Sequence, residues 1–198
     1  VSHWTLPQLE DKEVKVVTFT NCETVELLVN GRSCGTRRLS DFEDRMIPWK
    51  VRYEPGTIKA VGKNGEQELC SHELKTAGEP ARIDLSPDRR TVRADGRDLC
   101  HVEVTVSDTN GTLVPDASHV IQFEVSGAGR IIGVDNGDMT SLEPYRDTRR
   151  KAFYGKALVI LQSTSEVGQV RLTATSPGLS SGALVINTQE SPRQPSKQ

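Results

Sequence analysis

Val25-Glu26-Leu27-Leu28-Val29-Asn30-Gly31-Arg32-Ser33-Cys34 reads as a hairpin. Asn-Gly tolerates positive φ at both central positions of a two-residue turn, and apolar-rich strand formers lead into it. The same period-two logic extends outward. Val102, Val104 and Val106 alternate with Glu103, Thr105 and Ser107, and Ile121, Phe123 and Val125 alternate with Gln122 and Glu124, so each run buries one face. Further strand-like runs cover residues 14–19, 51–53, 58–61, 131–134, 158–161, 170–174 and 183–186. Turn signals punctuate them at Glu54-Pro55-Gly56, Lys63-Asn64-Gly65-Glu66, Asp95-Gly96 and Asn110-Gly111, a spacing that suits antiparallel sandwiches rather than βαβ units. Helix has almost no support, so the fold class is all-β.

A boundary falls in Thr76-Ala77-Gly78-Glu79-Pro80-Ala81, where Gly and Pro stop one strand before Arg82-Ile83-Asp84-Leu85 begins another. Residues 1–78 and 79–188 are each long enough for a small sandwich, and 198 residues accommodate both in tandem. The tail, residues 189–198, has no apolar side chain to bury and is predicted to be disordered.

Charge excludes one large class of partner. The 25 Lys and Arg nearly balance 27 Asp and Glu, with no basic stripe to neutralise phosphates, so nucleic acid is not an expected partner. No apolar run is long enough to cross a bilayer as a helix, so no membrane partner is expected either. Cys22, Cys34, Cys70 and Cys100 match no zinc spacing and are too sparse for a disulfide scaffold. They read as free thiols, although one disulfide among the three of the first half, its pair unassigned, is compatible with their distribution.

No constellation for catalysis emerges. Glu13, Glu26, Glu103 and Glu124 occupy polar positions of strands, and Asp88, Asp95, Asp98 and Asp108 occupy turns, where a solvated face accounts for them. There is no Gly-x-Ser-x-Gly elbow, and His3, His72, His101 and His119 lack metal spacing. Gly127-Ala128-Gly129 joins strand to strand and opens no helix, so it lacks the geometry of a phosphate loop. No catalytic residue, cofactor or metal site is assigned. Asp135, Asn136, Gly137 and Asp138 concentrate oxygen atoms, yet the run lacks the distal Glu of a calcium loop. It reads as a turn with Asx-type hydrogen bonds, or as a loop docking on another domain or facing a cleft. Trp4 and Tyr145, in irregular segments, are the aromatic residues expected to be exposed and able to stack on a sugar, whereas Trp49 reads as core.

Several longer motifs carry a resemblance. Residues 20–33 and Trp49-Lys50-Val51-Arg52-Tyr53-Glu54-Pro55-Gly56, continuing to Gly62, resemble the immunoglobulin-like domain that follows the catalytic barrel in many bacterial glycoside hydrolase family 2 enzymes, the β-galactosidase family. Gly133-Val134-Asp135-Asn136-Gly137-Asp138, Thr140-Ser141-Leu142-Glu143-Pro144-Tyr145 and Arg150-Lys151-Ala152-Phe153 resemble that family's C-terminal immunoglobulin-like domain. The opening of the second half, residues 85–115, also resembles bacterial invasin- and intimin-type domains, which often act as spacers. Departures are Thr5-Leu6 in place of Asn-Trp, Leu142 in place of His, and Tyr154 in place of Asn.

The resemblance implies two tandem immunoglobulin-like β-sandwich domains serving as a non-catalytic C-terminal accessory region. The implied parent hydrolyses terminal β-glycosides, β-galactosides first, by a retaining mechanism in a barrel absent from this sequence. It further implies the parent's catalytic barrel and N-terminal domains as partners, possible homo-oligomerisation, and a periplasmic or secreted location. A carbohydrate-binding module and an adhesin-type spacer are the alternatives.

Overall fold

Asn30 and Gly31 hold φ of 48° and 75°, and Val29 stands opposite Arg32 across them. The hairpin therefore forms where its sequence supplies residues that accept positive φ. Asn30 also fixes the neighbouring turn: its side chain accepts from the Thr57 amide at 2.7 Å and donates to the Pro55 carbonyl at 3.0 Å. Gly56, at φ 128°, approaches so closely that a Cβ would lie 2.0 Å from Asn30 Oδ1.

The structure, a computed structural model, describes residues 2–190. The chain divides into two compact units, Val1–Ala77 and Gly78–Gln198. The first unit contains β1 (Glu13–Phe19), β2 (Thr24–Val29), β3 (Arg32–Arg38), β4 (Met46–Arg52), β5 (Thr57–Asn64) and β6 (Gln67–Lys75). Antiparallel β1 and β4 form one layer, and strands in the order β3-β2-β5-β6 form the other. Val14, Ile47, Trp49 and Val51 from the first layer join Val25, Leu27, Val29 and Ile58 from the second in a single buried cluster. Removing one such aliphatic side chain from water contributes about 1.5–3 kcal/mol, which is what holds the layers together. The outer strands β3 and β6 are exposed along nearly their whole length. Gln67-Glu68-Leu69-Cys70-Ser71-His72-Glu73 carries no alternation that marks β6 in advance, and its charges discourage further edge pairing.

The second unit contains β7 (Arg82–Pro87), β8 (Thr91–Arg93), β9 (Leu99–Ser107), β10 (Val120–Gly127), β11 (Gly129–Asp135), β12 (Arg149–Lys151), β13 (Lys156–Ser163), β14 (Gly168–Thr175) and β15 (Gly182–Gln189). One sheet has the order β12-β10-β14-β15-β8 and the other β11-β13-β9-β7. Cys100, Val102, Val104 and Val106 of β9 and Val159 and Leu161 of β13 are buried, as are Ile121 and Phe123 of β10 and Val170, Leu172 and Ala174 of β14. The chain changes sheets at Gly127-Ala128-Gly129. A Cβ on Gly127 would sit 2.0 Å from the Gln169 carbonyl, and one on Gly129 2.7 Å from Val170, so the glycines serve a close-packed corner.

The last strand reaches into the segment whose composition predicts a tail. β15 continues through Gln189, pairing in parallel with β8 from Asn187 opposite Thr91 to Gln189 opposite Arg93. Thr188 is buried, and its hydroxyl accepts from the Gly168 amide at 2.7 Å and donates to the Glu166 carbonyl at 2.8 Å. Disorder at residue 189 is thus corrected by a pairing that no local pattern encodes, and residues 191–198 of the expected tail lie outside the described residues. Among the described residues there is no α-helix, only two short 3₁₀ turns at Pro7–Leu9 and Leu39–Asp41. The chain is two immunoglobulin-like β-sandwiches in tandem.

Candidate functional site

The segment joining β11 to β12 contains the turn Asp135-Asn136-Gly137-Asp138, and its short polar side chains are spent on their own backbone. Asp135 Oδ1 accepts from the Asn136 amide at 2.7 Å and from the Gly137 amide at 3.2 Å. Asn136 Oδ1 accepts from the Asp138 amide at 3.0 Å, and Asn136 Nδ2 donates to the Lys151 carbonyl at 2.9 Å. Asp138 Oδ1 accepts from the Thr140 amide at 2.9 Å and from the Thr140 hydroxyl at 2.7 Å. That hydroxyl above all, then the amide, holds the Asp138 carboxyl below the usual carboxylate range. Gly137 supplies the positive φ of 75°.

Arg150 closes this frame from beneath. It is the middle residue of β12, fully buried between exposed Arg149 and Lys151. Its Nη1 donates to the Glu143 carbonyl at 2.9 Å, and its Nη2 donates to Asn136 Oδ1 at 3.0 Å and Asp135 Oδ1 at 3.4 Å. Nε lies 3.8 Å from Glu143 Oε2, within ion-pair range but without a hydrogen bond. The guanidinium carbon stands 5.2 Å from the centre of the Tyr145 ring, a distance at which the ring's negative face attracts the cation. The Tyr145 carbonyl accepts from the Val134 amide at 2.8 Å, which ties the far side of the loop to β11.

Asp135, Asn136, Gly137, Asp138 and Tyr145 are therefore brought together in one loop, and the residue that organises them is one that sequence reasoning did not single out. In the sequence Arg150 opens the motif Arg150-Lys151-Ala152-Phe153, which carries a resemblance and assigns it no role. The available signal was period two: Arg150 shares its parity with Ala152, the inward-facing and buried residue that follows β12.

The side chains this frame leaves in solvent include three large apolar or aromatic ones. Met139 is 98% exposed, Leu142 100% and Tyr145 59%. Since the frame's polar atoms are largely used internally, the loop is equipped to present side chains rather than to gather a reactive centre.

Trp4 is placed differently from its expectation. It is buried at 3% exposure, packed edge-on to Tyr53 with ring centres 4.9 Å apart, and its Nε1 donates to the Glu54 carbonyl at 3.1 Å. The fully buried Tyr53 hydroxyl accepts from the Leu6 amide at 3.1 Å and donates to the Trp4 carbonyl at 3.2 Å. Thr76 donates to the same carbonyl at 2.6 Å. An irregular backbone here conceals a core residue, so Trp4 has no free face on which a sugar can stack. Of the strand glutamates, Glu26 pairs with Lys63 at 2.9 Å, Glu103 with Lys156 at 2.8 Å and Glu13 with Lys50 at 3.4 Å, all across strands.

The fold and the loop together define a tandem β-sandwich module. Residues 83–185 match the glycoside hydrolase family 2 C-terminal domain 5, and residues 11–70 match a domain of unknown function (DUF4982). The chain belongs to the C-terminal domains of glycoside hydrolase family 2. A beta-galactosidase of Bacteroides ovatus is 45% identical over 172 residues, which is 87% of this chain and 20% of that protein. A family 2 glycosyl hydrolase of Bacteroides cellulosilyticus superposes with a TM-score of 0.89 at 32% identity, over 96% of this chain and 24% of that one. A beta-glycosidase of Bacteroides vulgatus gives a TM-score of 0.89 at 34% identity, over 94% of this chain and 24% of that one. The chain thus spans about a fifth to a quarter of the proteins it matches.

Proposed function

We propose that this chain is a non-catalytic accessory region of a family 2 glycoside hydrolase that cleaves terminal β-glycosides, β-galactosides first, with retention of configuration. Its work is to brace the parent's catalytic barrel and N-terminal domains. The observation that carries this reading is the loop between β11 and β12, where Met139 and Leu142 stand almost wholly in solvent on a frame tied down by a buried arginine. Exposed apolar side chains on a fixed frame suit a surface made for contact. A second apolar face fits the same role: Phe19 lies opposite Met46 and Val17 opposite Pro48 on the outward side of β1 and β4, with Phe19 75% exposed.

Retaining hydrolysis uses two carboxyl groups about 5–5.5 Å apart in one cleft. Three of the strand glutamates here are instead matched with lysines on neighbouring strands. The beta-galactosidase name of the Bacteroides ovatus relative supports galactosides as the parent's substrate, and the parent is assigned to the periplasm or the exterior.

Expressing the complete reading frame beside this 198-residue chain tests the proposal with an aryl β-galactoside. Turnover is expected from the complete protein and none from the chain alone, and hydrolysis by the chain alone overturns the reading. In the complete protein, joint Met139→Asp and Leu142→Asp substitution is expected to lower its Tm while leaving the isolated chain unchanged.

A further inference from the structure

Cys22 and Cys70 are far apart in sequence, yet their sulfurs lie 3.8 Å apart. Cys22 is buried in the bend before β2, held by its amide donating to the Thr20 hydroxyl at 2.9 Å, and Cys70 is exposed on the edge strand β6. Between them, on β5, is Gly62, directly opposite Cys70 in the sheet register. A Cβ there would lie 2.8 Å from Cys22 Sγ and 3.0 Å from Cys70 Sγ, so the missing side chain is what lets the sulfurs meet above the strand. The other two thiols have no such neighbour: Cys34 is exposed on β3, and Cys100 is buried, its Sγ donating to the Arg89 carbonyl at 3.3 Å.

We propose that Cys22 and Cys70 are a disulfide-forming pair that cross-links the segment before β2 to the edge strand β6, with a small disulfide such as oxidised glutathione as the oxidant. The exposed Cys70 reacts first. Its thiolate attacks one sulfur of the oxidant, breaking the oxidant's S–S bond, forming a mixed disulfide and releasing one glutathione thiolate. The Cys22 thiolate then attacks the Cys70 sulfur, forming the protein S–S bond and releasing the second glutathione thiolate. The two protein protons end on the two glutathione thiols, and the two electrons lost by the cysteine sulfurs reduce the oxidant. Closing from 3.8 Å to a bond of about 2.05 Å is on the scale of side-chain rotation and a small backbone adjustment. The bond joins the bend before β2 to the edge strand across a sequence separation of 48, and closing a loop that long restrains the unfolded chain more than closing a short one.

Incubation of the purified chain with oxidised glutathione, alkylation and tryptic mapping tests this. The expected product is a linked pair of peptides, residues 16–32 and 64–75, with Cys34 still alkylated under native conditions. Oxidation is also expected to raise the Tm of the parent sequence and of Cys34→Ser, and to leave that of Cys70→Ser unchanged. Gly62→Ala, which places a methyl group against both sulfurs, is expected to suppress the linked peptide. Recovery of Cys22 and Cys70 both alkylated, a stable glutathione adduct on Cys70, or a linked pair involving Cys34 overturns the proposal.

Discussion

Two irregular segments hold the aromatic residues that the sequence reading expects to be exposed, and they resolve in opposite ways. Before β1, Trp4 turns inward, and its carbonyl and indole are both hydrogen-bonded within the first unit. Between β11 and β12, Tyr145 lies over the Arg150 guanidinium with more than half its surface in water. The difference lies in what each segment has beneath it. The first lies over an apolar cluster that accepts a large ring, whereas the second lies over a buried cation whose Nη groups donate to oxygens of the loop itself. An irregular backbone is therefore no guide to exposure; the chemistry of the supporting layer decides it.

The largest test of this contrast is Trp4→Ala, expected to cost about 3–5 kcal/mol by urea denaturation, as for other large core aromatics. A cost near zero would return Trp4 to the surface and erase the comparison. Arg150→Met comes next. It leaves Asp135, Asn136 and the Glu143 carbonyl without their donor, and because Asp135 and Glu143 keep partial contact with water, the expected loss is about 2–3 kcal/mol, below that of a fully desolvated pair.

Asp108 shows how the second unit fixes an irregular stretch without an aromatic. Its buried carboxylate accepts from the amides of Gly78, Asn110 and Thr112, each at 2.8 Å. These bonds, that from Gly78 first, hold its pKa below the ordinary value. A depressed folded pKa contributes stability that is complete above the unfolded value of about 3.9 and is lost as pH falls through the folded one. Asp108→Asn is expected to cost about 1–2 kcal/mol at neutral pH. The difference between the two proteins should shrink below about pH 4, so parallel acid-denaturation curves would refute the assignment. Tyr145→Ala is the smallest effect, about 0.5–1 kcal/mol in the isolated chain, the range of an exposed cation–π contact. A cost equal to that of Trp4→Ala would make both rings structural.

The strands with alternating apolar residues and the Asn30-Gly31 hairpin were legible because each depends on neighbours two to four residues away. Strand β6 was not, because an edge strand solvated on both faces has no reason to alternate. The loop of Asp135 to Asp138 was legible as a turn, but its anchor was hidden among like charges at Arg149 and Lys151.

By itself the sequence determined two β-rich units, where their main hairpins turn and which strand faces go inward, since steric limits on φ and a side-chain period of two act locally. Only the tertiary structure decided that Trp4 is core, that Arg150 is buried beneath a loop, that β15 pairs with β8, and that Cys22 meets Cys70 over Gly62. Trp4, β15 and the cysteine pair depend on partners distant in the chain, and a distant partner leaves no periodic trace in the residues it will meet; Arg150 kept a period-two trace with Ala152, masked by the charges on either side of it.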